Sequence, residues 1–188
     1  KLLKTFLSQP NEMFYVRQLT RSTNEEINAV RRELNRLEKT GFLKQEARGN
    51  RLYYYPNKGY VFFNELLSLV AKTTFLGLAI RKNKNKIGKV KYAVMSGKFV
   101  RHMDRQADEL DLLMIGTIIL PELSVLIRKE EARRKTEINY TVMTVDEFQF
   151  RKERRDPFLL EILYQSRIMI IGDEQEMLSQ RNKNDATE

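Results

Sequence analysis

Asn28, Arg31, Arg32 and Asn35 recur at spacings of three and four, which places them on one face if their segment is a helix. Amide and guanidinium side chains in such a row can hydrogen-bond base edges and phosphates. Arg17 and Arg21 precede the row, and Arg48, Asn50 and Arg51 follow it in the run Ala47-Arg48-Gly49-Asn50-Arg51. Together these residues are the candidate set for gripping a polyanion. The remaining composition narrows the alternatives. His102 is the sole histidine, which argues against a His-based metal cluster or a Ser-His-Asp triad within one chain. Its expected place is an exposed turn. No cysteine is present, so disulfide scaffolds and Cys-based zinc sites are excluded, and the chain fits a reducing cytoplasm.

The elements that must position these side chains are legible over residues 16–56. Val16 and Leu19 mark a short helix over about 15–21, with Arg17 and Arg21 pointing outward. Ile27, Val30, Leu34 and Leu37 form the apolar stripe of a longer helix, opposite the Asn/Arg row. Thr23 stands three residues before Glu26, so a hydroxyl and a carboxylate are expected to cap its start reciprocally. Gly41 is the expected left-handed stop. Residues 42–46 and 52–55 read as two strands joined by a turn of Gly and Asn. Within Tyr53-Tyr54-Tyr55 the middle ring is expected to face opposite to its neighbours and to serve packing rather than base stacking.

An outer face of charged and amide residues is by itself what any solvated amphipathic helix carries. The ordered succession of short helix, capped helix, glycine stop and basic hairpin is more specific. It resembles a winged helix-turn-helix of the ArsR-like kind through Phe14-Tyr15-Val16-Arg17-Gln18-Leu19, Leu34-Asn35-Arg36-Leu37-Glu38-Lys39-Thr40-Gly41 and Arg48-Gly49-Asn50-Arg51-Leu52-Tyr53-Tyr54. The resemblance covers roughly the first third of the chain. It implies that the long helix enters the major groove of double-stranded DNA and that the hairpin touches the backbone or minor groove. Arg31, Arg32, Asn28 and Asn35 would then read bases, with Arg17, Arg48 and Arg51 on phosphates.

Charge supports this division of labour. The net charge is +9, and residues 1–60 hold 12 Lys and Arg against 6 Asp and Glu. Residues 61–90 hold 6 against 1, whereas residues 91–188 hold 16 against 18, so the positive field belongs to the first half. No apolar run approaches the roughly 20 residues needed to span a bilayer, and no signal peptide is visible, so no membrane partner is expected. The mixed-sign cluster at residues 151–156 reads as a solvated helix end.

After residue 59 the pattern changes. A first helix over 2–8 and the basic domain at 1–59 give way to an apolar helical stretch over about 60–80 and a basic loop over 82–89, read together as a linker, 60–89. The apolar residues of that helix exceed one stripe, and two uses are expected of it: pairing with its twin in a homodimer, or packing as a connector on the chain's own two domains. Residues 91–95, 110–116, 137–143 and 168–172 read as strands. Helices are expected over 121–134, 146–151 and 157–164, and a polar tail over 173–188. Strands alternating with helices indicate a small α/β domain at 90–172. The fold class is therefore α+β with two domains.

Within this second part, Ala93-Val94-Met95-Ser96-Gly97-Lys98-Phe99-Val100-Arg101 and Asp108-Glu109-Leu110-Asp111-Leu112-Leu113-Met114-Ile115-Gly116 resemble the minimal nucleotidyltransferase fold. Ile138-Asn139-Tyr140-Thr141-Val142 and Asp156-Pro157-Phe158-Leu159 extend the similarity. The resemblance implies that two carboxylates two residues apart on a strand face one Mg²⁺, which aligns a nucleoside triphosphate for in-line attack. Glu109 and Asp111 would be those metal ligands and the catalytic pair, and Gly97 and Lys98 the nucleotide-binding turn. The chain departs from the pattern at Lys98, where a serine is expected, at the longer arm of Glu109, and at Asn139, which replaces a third carboxylate. Mg²⁺ demands near-ideal octahedral geometry, so these changes argue for a non-catalytic domain. Lys98 can pair with a phosphate, or close the site by pairing with Glu109 or Asp111.

The leading expectation is a cytoplasmic DNA-binding transcriptional regulator that needs no cofactor to bind DNA. Its second domain would serve sensing or dimerisation. The alternative is a Mg²⁺-dependent nucleotidyltransferase targeted by the winged domain. In a third reading a nucleotide is a regulatory ligand that shifts DNA affinity.

Overall fold

The computed structural model describes residues 1–179; the end of the expected polar tail, 180–188, lies outside the described residues. The chain is mixed α/β and divides into two compact units. Lys1–Thr74 with Val100–Asp104 form the first, and Phe75–Phe99 with the described residues from Arg105 onward form the second.

The first unit contains α1 (Leu2–Ser8), β1 (Phe14–Tyr15), α2 (Val16–Thr23), α3 (Ile27–Lys39), β2 (Leu43–Arg48), β3 (Arg51–Pro56) and α4 (Phe63–Thr73). Its three strands are antiparallel in the order β1-β3-β2, with Phe14 opposite Tyr54 and Arg48 opposite Arg51 at the hairpin end. Val30, Leu34 and Leu37 of α3 are buried with Phe6, Leu7, Leu19, Phe42, Leu43, Phe63 and Leu67, so the expected stripe is the core face. Tyr54 is buried while Tyr53 and Tyr55 are only partly covered, as strand alternation requires. Gly41 takes a φ of +81° where the chain leaves α3.

The helix start differs from the expected reciprocal cap. Thr23 ends α2, is buried, and donates its hydroxyl proton to the Leu19 carbonyl at 2.7 Å. Asn24 in the left-handed region turns the chain, and Glu26 alone caps α3 by accepting from the Asn28 and Ala29 amides at 2.8 and 2.9 Å. The hydroxyl bonds back into its own helix because that helix runs further than its apolar pattern indicated.

The segment 60–89, expected as one helix and a loop, holds two helices. After α4, Thr74 is extended and ends regular helix, and Phe75, with a φ of +45°, opens α5 (Phe75–Lys82). Thr73 and Thr74 donate to the Leu69 and Val70 carbonyls at 2.7 and 2.8 Å, taking up groups at the end of α4.

The second unit continues with β4 (Gly88–Ser96), α6 (Gly97–Val100), β5 (Leu112–Ile118), α7 (Leu120–Arg134), β6 (Tyr140–Met143), α8 (Val145–Glu153), α9 (Pro157–Tyr164), β7 (Arg167–Ile171) and α10 (Glu174–Leu178). The sheet order is β6-β5-β4-β7. Only β5 and β6, joined through α7, are parallel; β4 is antiparallel to both neighbours. Alternation of helix and strand therefore produced a mixed sheet, because the segment 97–111 returns the chain antiparallel to β4 and only the connection through α7 is a parallel crossover. Tyr92, Val94, Leu113, Ile115, Met143, Phe148, Leu159 and Met169 pack into one core, and Ala93, Met95, Leu112 and Met114, which alternate with them, are buried too. Within the described part of the expected tail, α10 buries Met177 in that core. Among the described residues no single helix is long and apolar enough to cross a membrane.

Candidate functional site

Two clusters of polar side chains stand out, one in each unit. In the first, α3 turns Asn28, Arg31, Arg32 and Asn35 to solvent, all four exposed, while the opposite stripe is packed. Arg31 and Arg32 take part in no ion pair among the described residues, nor do Arg17 and Arg21, which α2 also exposes. Arg36, one position beyond Asn35, is by contrast held by Glu33 at 2.8 Å. The Glu26 carboxyl at the start of α3 is lowered from its ordinary value, first by the Asn28 amide and then by the Ala29 amide. It stays ionised and helps fix the helix that carries the row.

The hairpin adds a second group. Asn50 is exposed in the turn, and Arg48 and Arg51 flank it directly opposite each other. Two like charges in that register repel, and each has a local compensation. Arg48 lies 2.8 Å from Glu46, and the Arg51 guanidinium stacks over the Tyr15 ring at 4.7 Å. The aromatic stack on Arg51 was not legible in the sequence, because Tyr15 reaches it only through the pairing of β1 with β3.

In the second unit, Glu109 and Asp111 come before β5 rather than on it, so they do not share a strand face. The apolar run beginning at Leu110 made the strand look longer than its ladder. Each carboxylate has its own cation. Lys98 pairs with Glu109, whose other oxygen accepts from the Gln106 amide at 2.9 Å. The Lys98 hydrogen bond, followed by that amide, holds the Glu109 carboxyl below its ordinary value. Asp111 is buried and receives Arg105 at 2.8 Å and the Asn139 amide at 2.9 Å. Burial is the dominant effect on Asp111 and raises its carboxyl despite those partners.

Asn139 is a clamp between segments. Its side chain donates to the Glu109 carbonyl at 2.9 Å, and its own carbonyl accepts from the Asp111 amide at 2.8 Å. Beside this cluster lies a cavity of about 20 Å³, lined by Ser96, Glu109, Asp111, Phe158, Gln165 and Arg167 among others. That is room for roughly one water. Gly97 begins α6, and its amide donates to the Ser166 carbonyl at 2.6 Å. No group of three or more His, Cys, Asp or Glu side chains suited to a metal occurs among the described residues. His102 follows α6 with a φ of +52° and is partly covered.

A third polar group was not foreseen. Glu130 on α7 is buried and bound by Arg133 at 2.6 Å and Arg134 at 2.7 Å. Those arginines cover the rings of Phe75 and Phe99 at 3.7 and 3.8 Å. The spacing of three and four was visible in the sequence, but a solvated helix face has the same spacing.

No protein-family model matches the chain, and no curated protein or solved structure is similar enough to count as a match.

Proposed function

We propose that the protein is a cytoplasmic, DNA-binding transcriptional regulator whose first unit acts as a winged helix-turn-helix. The observation that carries this reading is the exposed row on α3, where Arg31 and Arg32 are in no ion pair among the described residues. Such a helix can offer bidentate guanidinium donors to guanine and amides to adenine. The basic hairpin and the arginines of α2 are suited to phosphates, which position a protein without specifying sequence. The second unit, a nucleotidyltransferase-like domain in this reading, serves sensing or self-association rather than catalysis. Ion pairs on both Glu109 and Asp111 favour that role over metal chemistry. A homodimer is part of the proposal, supported by the exposed Phe62 and Leu69 beside and on α4.

Selection from a random duplex library across a salt series tests the reading. The expected result is a defined, palindromic site bound with a steep salt dependence. Arg32→Ala should lose about 1–3 kcal/mol of discrimination at one position of the half-site. Arg48→Ala should weaken binding to all duplexes alike. Recovery of no preferred sequence, or an Arg32→Ala variant with the parent's specificity, would remove the assignment of α3 as the reading helix.

A further inference from the structure

From residue 66 to residue 103 the chain contains no Asp or Glu. Its lysines in this stretch from residue 82 onward nevertheless fall into two kinds. Lys91 is paired with Glu176 at 3.0 Å and Lys98 with Glu109, both acids supplied from later in the chain. Lys82, Lys84, Lys86 and Lys89 are exposed and take part in no ion pair among the described residues. They occupy the end of α5, the following loop and the start of β4, all within the second unit.

The loop that carries them is pinned. The Asn83 side chain donates to the Ala79 carbonyl at 2.8 Å, and the Asn83 carbonyl accepts from the Lys86 and Ile87 amides at 2.9 and 3.0 Å. Ile87 is fully buried, and its carbonyl accepts from the Ile119 amide at 2.9 Å. Gly88 has a φ of +111° and lies so near β5 that a Cβ there would stand 2.1 Å from the Thr117 carbonyl oxygen. Ile87, the one apolar side chain of residues 82–89, thus points into the core, and the lysines are left outside on a fixed turn. Holding like charges together without a carboxylate among them costs Coulomb energy, which a polyanion would relieve.

We propose that this α5–β4 loop is a second nucleic-acid-binding surface, on which Lys82, Lys84, Lys86 and Lys89 contact the phosphodiester backbone. It rests on the DNA-binding reading of the chain and adds a contact made by the second unit. Lysine is a point charge without the planar fork of arginine, so the surface contributes affinity and salt dependence rather than sequence preference. The competing occupant is an anionic lipid surface, because Ile119 and Leu120, next to the loop, are about half exposed at 49% and 52%. Nucleic acid is favoured because the loop itself presents only Lys and Asn to solvent, with no aromatic or aliphatic anchor.

The test uses the full chain and a variant carrying Lys82→Gln, Lys84→Gln, Lys86→Gln and Lys89→Gln, with a thermal melt matching the parent's as the check on folding. Duplex affinity is measured against salt for the parent, this variant and Arg32→Ala. The expected result is that the slope of log affinity against log salt falls by about two to four units in the lysine variant. Its preference between a selected site and random duplex should remain that of the parent, whereas Arg32→Ala should lose preference and keep most of the slope. A lysine variant with the parent's slope overturns this inference and leaves the reading of α3 intact. Absence of duplex binding by the parent overturns both. Loss of binding to phosphatidylserine-containing vesicles, with the DNA slope unchanged, also overturns it and assigns the loop to lipid.

Discussion

Glu130 and Asp111 are both buried in the second unit, yet their surroundings act on them in opposite directions. Burial alone would raise Glu130, but hydrogen bonds from Arg133 and then Arg134 outweigh it and hold the carboxyl below its ordinary value. A carboxyl lowered by folding contributes stability that is present above its unfolded pKa and lost as pH falls through the folded one. Glu130→Gln should therefore destabilise the protein by about 3 kcal/mol at pH 7, since it leaves two guanidinium groups without their buried anion. The deficit should shrink in acid, where the parent's Glu130 is itself protonated. Asp111 is raised, mainly by burial, so its contribution is full below its unfolded pKa and declines as pH rises through the folded one. Asp111→Asn should consequently cost less at pH 7 than Glu130→Gln. Urea unfolding of both variants at pH 7 and again well below the ordinary carboxylate range measures the ranking; equal losses under both conditions would contradict it. The acid–base spacing on α7 was readable in the sequence, whereas the Arg105–Asp111 pair was not, because a loop residue's partner has no periodicity to reveal it.

Helix α3 and the β2–β3 hairpin were legible as elements because their signals are local. An apolar stripe at helical spacing, a glycine stop and a Gly-Asn turn all act within a few residues. The α4–α5 break was not, since 60–80 is rich in apolar residues on both sides of it and Phe75 is no residue from which a left-handed conformation would be anticipated. Likewise the start of β5 is decided by which residues find a partner on β4 and β6, and Glu109 and Asp111 fall outside that ladder. The exposed face of α4 yields a prediction at this scale. If the chain self-associates through it, Leu69→Glu should shift the dimer to monomer in sedimentation while leaving the thermal midpoint nearly unchanged, because Leu69 is 60% exposed. A dimer that survives the substitution would place the interface elsewhere. Just before β6, at the edge of the second unit's sheet, Asn139→Ala should cost about 1–2 kcal/mol through the unpaired Glu109 carbonyl, measurable by denaturant unfolding.

Across the whole molecule, charge is segregated along the chain: basic from residue 1 to residue 90, and slightly acidic after that. Under the proposed DNA-binding function, this asymmetry predicts that affinity for duplex DNA falls steeply with salt, with contributions from α2, α3, the hairpin and the lysine loop that add as separate counterion terms. Combining Arg48→Ala with the four lysine substitutions should therefore reduce the slope by the sum of the separate effects; a smaller combined effect would mean that the two groups do not contact the nucleic acid together. Composition, net charge, the amphipathic helices and the hairpin were determined by the sequence alone, because they depend on residue type and short-range spacing. Which charges remain available was decided only by tertiary structure. Lys98 and Lys91 look no different in sequence from Lys84 and Lys86, but folding brings Glu109 and Glu176 to the first two and no acid among the described residues to the others. Ion pairing depends on distance in space, and residues separated by many positions come together only when the sheet and its covering helices have formed.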